Sequence, residues 1–409
     1  MSLEKIKQKK HESAQFMADE ITHIIKTFGK RDPGSEGEKK AVEYMAEQLK
    51  PLCDEVTVEP FDVYPASFMG WIYITVTLVL AGVVAYFFAP VVTVALILIG
   101  ATLMIGQFVL YRQMIDKLFK KKTSYNITAV KHPVGEVKRR IFFNGHPDAA
   151  CEWTMNYHFG GVGFVAHFII AVVGVVYAFA VSILAVIKGM EIGWVHAAFD
   201  AGLLRTLGLI MLAFVPFWIG MYFLWNEKIV VDGANDNLTG CYMGIALMKA
   251  LKDEGVEFEN TEVGVIISGS EEAGLRGAKA WCKAHKDDYK DVETLIFAFD
   301  TIHEGEFLYV NDRDLNLTVK ADRHASDLFK NSADELGIKC SVGAVPLGAT
   351  DSAAFNQGGF KATGITAMDH NLKDYYHTRR DSYDNLDLGC LADCYEVTVQ
   401  TLKNFDEGK

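Results

Sequence analysis

From residue 67 to residue 111 the chain carries no Asp, Glu, Lys or Arg. A run of 45 residues is about twice the ~20 that cross a hydrocarbon core as a helix. Pro90 stands near its middle, after Tyr86-Phe87-Phe88-Ala89. Proline ends a helix rather than continuing it, so the run predicts two helices, roughly 68–88 and 91–111, joined by a tight turn. A second uncharged run covers 159–187 and a third 206–225. The connector between them, 188–205, holds Lys188, Glu191, Asp200 and Arg205. Trp71, Trp194 and Trp225 lie near the ends of the runs, where interfacial aromatics are enriched. Buried helices of a soluble protein are usually shorter and keep a polar face, and no face is charged here. The sequence therefore predicts two transmembrane hairpins, 67–111 and 159–225, inserted into one discontinuous domain made of 1–66, 112–158 and 226–409.

Flanking charge orients the hairpins. Arg112, Lys117, Lys120, Lys121 and Lys122 follow the first pair, and the opposite side offers only Lys188 and Arg205. Basic residues stay on the cytoplasmic side, so 112–158 and both termini are expected in the cytoplasm of a multi-pass cell-membrane protein. The opening MSLEKIKQKKHESAQF is polar and lacks an apolar h-region, so no secretory signal is expected. The mean hydropathy of +0.13 comes from the uncharged runs, and the remainder is ordinary for an acidic globular protein. A net charge of −12 argues against a nucleic-acid partner. The seven cysteines are scattered, with no CxxC pair, which argues against a disulfide framework and fits a reducing compartment. Oligomeric state has no signal.

With the runs removed, one α/β pattern remains. Residues 13–28 are an amphipathic helix (Phe16, Ile21, Ile24, Ile25, Phe28) stopped by Gly29. The turn Arg31-Asp32-Pro33-Gly34-Ser35-Glu36-Gly37 feeds a second helix through Leu49. Residues 55–63, 124–130 and 140–143 read as strands. A helix at 238–254, a strand at 262–268, a helix near 272–285 and a strand at 294–299 follow. Such alternation implies right-handed crossovers, hence a mixed, mainly parallel central sheet with helices on both faces.

Five motifs stand at strand ends or loops: Asn144-Gly145-His146-Pro147-Asp148, Asn235-Asp236-Asn237, Glu271-Glu272-Ala273-Gly274, Phe299-Asp300, and Tyr376-His377-Thr378-Arg379-Arg380-Asp381. In open α/β sheets the carboxyl ends of the strands form the ligand crevice. Zinc takes imidazole nitrogen and carboxylate oxygen, and a hydrolytic pair sits ~3.5–4 Å apart. Two histidines and three carboxylates, one bridging, give each metal three protein ligands. Each motif alone has a bland reading: a Glu pair as a solvated helix start, a strand-ending Asp as a helix cap, a C-terminal His as a surface residue. The order of the five is what chance does not supply.

That order resembles the two-zinc aminopeptidase family that includes bacterial leucine aminopeptidases, glutamate carboxypeptidases and glutaminyl cyclases. The likeness runs from Arg31-Asp32-Pro33-Gly34-Ser35 to Tyr383-Asp384-Asn385. The intervals Asp236–Glu271 (35), Glu272–Asp300 (28) and Asp300–His377 (77) are similar to the family's. The 90 residues from His146 to Asp236 become so once 159–228 are set aside, leaving 20. The resemblance implies two zinc ions per chain, one held by His146 and Asp300, the other by Glu272 and His377, with Asp236 bridging. It implies that Asp148 orients His146 and that Glu271 is the general base. Asp351 falls at a common acidic position of the family. Leu347 stands where some members offer an oxyanion-stabilising tyrosine, a role left to Tyr375, Tyr376 or the metals. His and carboxylate ligands suit cobalt and manganese as well as zinc. His158, His167, His196, His303 and His370 read as structural, with His303 and His370 close enough to ligands in sequence to line a pocket.

His146 and Asp236 flank the second run, so that run must cross a bilayer an even number of times, as must the first. If 55–63, 124–130 and 140–143 form an antiparallel meander, both hairpins leave from the active-site edge. The expected activity is a membrane-anchored zinc metallopeptidase whose substrate is a hydrophobic or lipid-linked peptide. A lipid-amide or acyl-amino-acid hydrolase on the same site, and a non-catalytic binding scaffold, are the alternatives.

Overall fold

The computed structural model describes residues 2–192, 202–369, 371–372 and 375–409. Trp194, His196, Asp200 and His370 lie outside the described residues. The chain divides into two compact units. One is Met1–Pro65, Lys120–Glu152 and Lys228–Lys409, and the other is Ala66–Phe119 and Trp153–Glu227.

The strands, in chain order, are β1 (Glu55–Val63), β2 (Lys122–Lys131), β3 (Arg139–Gly145), β4 (Cys151–Glu152), β5 (Asn226–Val230), β6 (Thr261–Ser268), β7 (Glu293–Ile302), β8 (Leu308–Asp314), β9 (Val319–Lys320), β10 (Ser341–Ala344) and β11 (Lys361–Ala367). Nine of them build one sheet in the order β1-β2-β6-β3-β7-β11-β8-β10, with β9 on β8, and β4 pairs with β5 separately. The centre, β6-β3-β7-β11, is parallel. Antiparallel pairs flank it, β1 on β2 and β2 on β6 to one side and β11 on β8 to the other. The central strands read as continuous apolar runs because both faces are covered. Alternate side chains of β3 point to opposite faces. Ile141 and Phe143 join the core with the helices Lys10–Phe28, Glu36–Leu49, Thr239–Asp253, Arg323–Leu336 and Leu388–Asp406. Phe142 instead meets Trp281 of the helix Arg276–Ala284, ring centroids 6.1 Å apart.

Two expectations are corrected here. The first three strands are not a meander, because β6 lies between β2 and β3. Asn126 of β2 pairs Ser268, the last residue of β6, and Lys122 pairs Val63, the last of β1. The end of β1 and the start of β2 therefore lie at the edge where β6 and β3 end. The helix expected near 272–285 is also broken, into a 3₁₀ turn Glu271–Ala273 and the helix Arg276–Ala284. Ser270 (φ 54°), Gly274 (φ 96°) and Leu275 (φ 61°) take left-handed backbone there, which interrupts a right-handed helix.

Among the described residues, the second unit holds four helices long and apolar enough to cross a membrane: Ser67–Tyr86, Pro90–Val109, Thr154–Gly189 and Gly202–Met221. In the first pair, Thr75 Oγ1 donates to the Gly100 carbonyl (3.0 Å) and Thr93 Oγ1 to that of Gly82 (2.8 Å). Residues seven apart share a helix face, so the two Thr–Gly contacts form one seam of the small-residue kind that suits apolar surroundings. Trp218 Nε1 donates to the Ala171 carbonyl and Tyr177 to that of Leu207. Outward positions such as Val84, Leu98, Ile99, Val173, Val176 and Leu209 are exposed and apolar. The run at 206–225 is not one uniform helix. Pro216 removes an N–H donor, and a 3₁₀ turn at Leu212–Phe214 separates Gly202–Met211 from Val215–Met221.

Candidate metal centre

The predicted residues converge at the carboxyl edge of the sheet. His146 follows β3, Glu271 and Glu272 follow β6, Asp300 stands near the end of β7, and His377 lies beyond β11. Asp236 sits in the turn Ala234–Leu238, ahead of the helix Thr239–Asp253. Two groups form with Asp236 common to both: His146, Asp236 and Asp300, and Asp236, Glu272 and His377. Within each group the donor atoms lie within 4.8 Å of one another. Asp236 turns Oδ1 to His146 Nε2 (3.4 Å) and Oδ2 to His377 Nε2 (2.9 Å). Asp300 Oδ2 is 3.9 Å from His146 Nε2, and Glu272 Oε1 is 3.3 Å from His377 Nε2. Glu271 Oε2 comes within 3.7 Å of His146 Nε2.

Backbone amides explain how the Glu271–Glu272 turn is held. Its four successive N–H groups all end on side chains. Gly269 donates to Asn126 Oδ1 (3.1 Å) and Ser270 to Glu38 Oε1 (2.6 Å). Glu271 and Glu272 donate to the two oxygens of Asp148, each at 3.0 Å. Asp148 thus ties the loop after β3 to the loop after β6, and its Oδ1 is also 3.3 Å from His146 Nδ1. Glu38 is buried and also accepts from Gly34 N, Ser124 Oγ and Ser270 Oγ. Asp381 fixes Asp236 in the same manner, accepting from Asn235 N (2.8 Å) and Asp236 N (3.1 Å). Buried Arg31 donates to the carbonyls of Pro147, Asp232 and Gly233, tying the His146 and Asp236 loops together. The left-handed backbone of His377 (φ 50°), Ser270 and Thr301 (φ 52°) is the kind of strain that surrounding structure must enforce.

The sequence reading missed the roles of Glu38, Arg31, Asp381 and Asn126. Their partners are distant in sequence; Arg31, at the start of the family likeness, and Asp381, closing the fifth motif, stand in the sequence pattern without a role. Asp351 is buried and accepts a hydrogen bond from Ser268 Oγ, which in turn accepts from Asn144 Nδ2. Tyr376 stacks on the His377 ring (centroids 4.1 Å), whereas Tyr375 donates to Glu304 and packs edge-on against His303. Of the two tyrosines, Tyr376 is thus the one beside a candidate ligand. Cys53, Cys241, Cys282, Cys340, Cys390 and Cys394 are free thiols.

The buried groups of the centre shift one another's titration. Burial and the neighbouring carboxylates push Glu271 and Asp300 well above the usual carboxylate range, and Glu272 is raised by the same causes. Burial favours a neutral His377, but Glu272 and Asp236 outweigh it and raise the ring to about 10. His146 is raised likewise by Glu271, Asp148 and Asp236, against its burial. Burial also pushes Asp236 up, but the two imidazoles facing it outweigh that and hold its carboxyl below the usual range. Like charges crowded together out of water call for a counter-charge. His146 Nε2 and Glu272 Oε1 are buried and, among the described residues, make no hydrogen bond. Two imidazoles and three carboxylates, with His146 Nε2 and Glu272 Oε1 lacking a hydrogen bond, are a donor set that fits zinc.

Residues 221–402 match the model of Peptidase family M28. The fold is similar to that of a zinc aminopeptidase from Bacillus subtilis (14% identity, TM-score 0.57, covering 96% of this chain and 95% of that one). It is also similar to the LapA aminopeptidase of Legionella pneumophila (11%, 0.55, 98% and 74%). A third likeness is to a glutaminyl cyclase of Bacteroides thetaiotaomicron (13%, 0.53, 97% and 97%). No curated protein matches the chain in sequence. The match to Peptidase family M28 over residues 221–402 thus sits on a chain with the zinc-aminopeptidase fold.

Proposed function

We propose that the chain is a membrane-anchored, two-zinc aminopeptidase-like hydrolase acting on a hydrophobic or lipid-linked peptide or amide. The observation that carries the two-metal reading is Asp236, whose two oxygens face two different imidazoles. His146 and Asp300 would hold one ion and Glu272 and His377 the other, with Asp236 common to both groups. Zinc, when bound, supplies a Lewis acid and lowers the pKa of water. Glu271, whose Oε2 lies 3.7 Å from His146 Nε2, takes a proton from the attacking water and delivers it to the leaving amine, the role of a general base. Asp148 orients both Glu271 and His146 through the contacts above.

The membrane part of the reading rests on the four apolar helices and on where the chain leaves the sheet. The first insertion departs after Val63 and returns before Lys122, paired residues at the catalytic edge. The second departs after β4, six residues past His146, and returns in β5, six residues before Asp236. Each insertion returns to its own starting strand pair, which requires an even number of crossings. A bilayer at that edge favours substrates already dissolved in it, and it puts 112–158 and both termini on the cytoplasmic side by their flanking charge.

Two versions of one peptide, soluble and lipid-anchored, assayed on the protein in liposomes, test the substrate class. Preference for the anchored form is expected. Equal turnover would leave a generic anchored peptidase.

A further inference from the structure

Glu152, the last residue of β4, immediately precedes the second insertion, and its side chain is 1% exposed. Arg379, two residues after His377, grips it with both arms of the guanidinium. Nε lies 2.7 Å from Oε2 and Nη2 2.8 Å from Oε1, and the Arg379 backbone N–H adds a third donor at 3.3 Å. This planar two-point grip specifies orientation as well as charge. It acts on a short turn, closed by Thr378 N to the Tyr375 carbonyl and Asp381 N to that of Thr378, in which His377 is held at φ 50°. β4 pairs with β5, and β5 leads through Asp232 and Gly233 to Asp236. The ribbon at the root of the second insertion therefore connects directly to two members of one ligand group.

We propose that Glu152 and Arg379 are positioning residues for the His377 ligand, so that the β4–β5 ribbon is a working part of the Asp236–Glu272–His377 metal subsite. The inference rests on the two-metal reading. A pair that merely stiffened the fold would weaken both subsites alike. A pair that aims His377 weakens one.

The full-length protein in detergent, stripped of metal, is titrated with zinc against a chromophoric chelator and with cobalt(II) by its visible absorption. Wild type should take up two equivalents. In Arg379→Gln and Glu152→Gln the first equivalent should bind as in wild type and the second about 10–100-fold more weakly, as when a ligand's supporting partner is lost. Arg379→Lys, which keeps the charge without the fork, should fall between. Two equivalents of wild-type affinity in both Gln variants, or equal weakening of both equivalents, overturns the proposal. If Arg379→Gln does not fold, Arg379→Lys decides: a weakened second equivalent supports the proposal and wild-type affinity refutes it. A wild type that binds no zinc refutes the two-metal reading itself.

Discussion

Glu271 touches His146 but is not needed to complete either ligand group. Replacing it with Gln should therefore leave metal content unchanged while kcat falls about 10²–10⁴-fold, the span of a lost general base. Metal analysis beside steady-state kinetics checks both halves, and loss of metal in Glu271→Gln would make it a ligand. The raised histidines carry a second expectation. In the zinc-free protein His377 holds its proton up to about pH 10 instead of the usual ~6.5, and His146 is raised in the same direction. Zinc must expel those protons, so its affinity should rise from pH 6 to pH 8. Calorimetry in buffers of different ionisation enthalpy counts the protons, and a pH-independent affinity would contradict this electrostatic picture. The ligand candidates were legible because each sits in a short string at a strand end. Glu38, Asp381 and Glu152 were not, since their partners lie 232, 145 and 227 residues away and each alone reads as a surface or capping acid.

Among the elements, the turn from Gly269 to Glu272 depends most on side chains outside itself. Glu38→Ala leaves Gly34 N, Ser124 Oγ and both Ser270 donors without their acceptor, at about 1–3 kcal/mol for each buried group. A loss of at least about 4 kcal/mol is expected on that basis, read as a lowered unfolding midpoint of the detergent-solubilised protein. A midpoint within experimental error of wild type would mean water replaces Glu38. In the hairpin, a Cβ on Gly100 would lie 3.2 Å from the Thr75 methyl carbon. Gly100→Leu should part the two helices and lower the same midpoint while leaving zinc stoichiometry alone. Periodicity revealed most of these elements. It did not reveal the broken helix at 272–285, where Asp148 and Glu38 claim the amides of residues 270–272. Nor did it place β6 between β2 and β3, because strand order is set by long-range pairing that no local pattern carries.

On the scale of the whole molecule, one α/β unit is assembled from three chain segments and the apolar unit from two. The uncharged runs made the insertions legible, and removing them brought His146 and Asp236 to an ordinary spacing. Membrane spanning predicts that the protein stays with the bilayer through alkaline carbonate washing and leaves it only in detergent. Release by carbonate would mean the apolar helices cover something other than lipid. The central claim is that the site holds two metals joined by one carboxylate. Metal content of the detergent-purified protein, wild type beside Asp236→Ala, tests it most directly. About two zinc per chain in wild type, falling sharply in the variant because both ligand groups lose a shared member, is the predicted result. No bound metal after zinc is supplied, or full occupancy without Asp236, would contradict it, and the first of these would favour a binding scaffold on a peptidase fold.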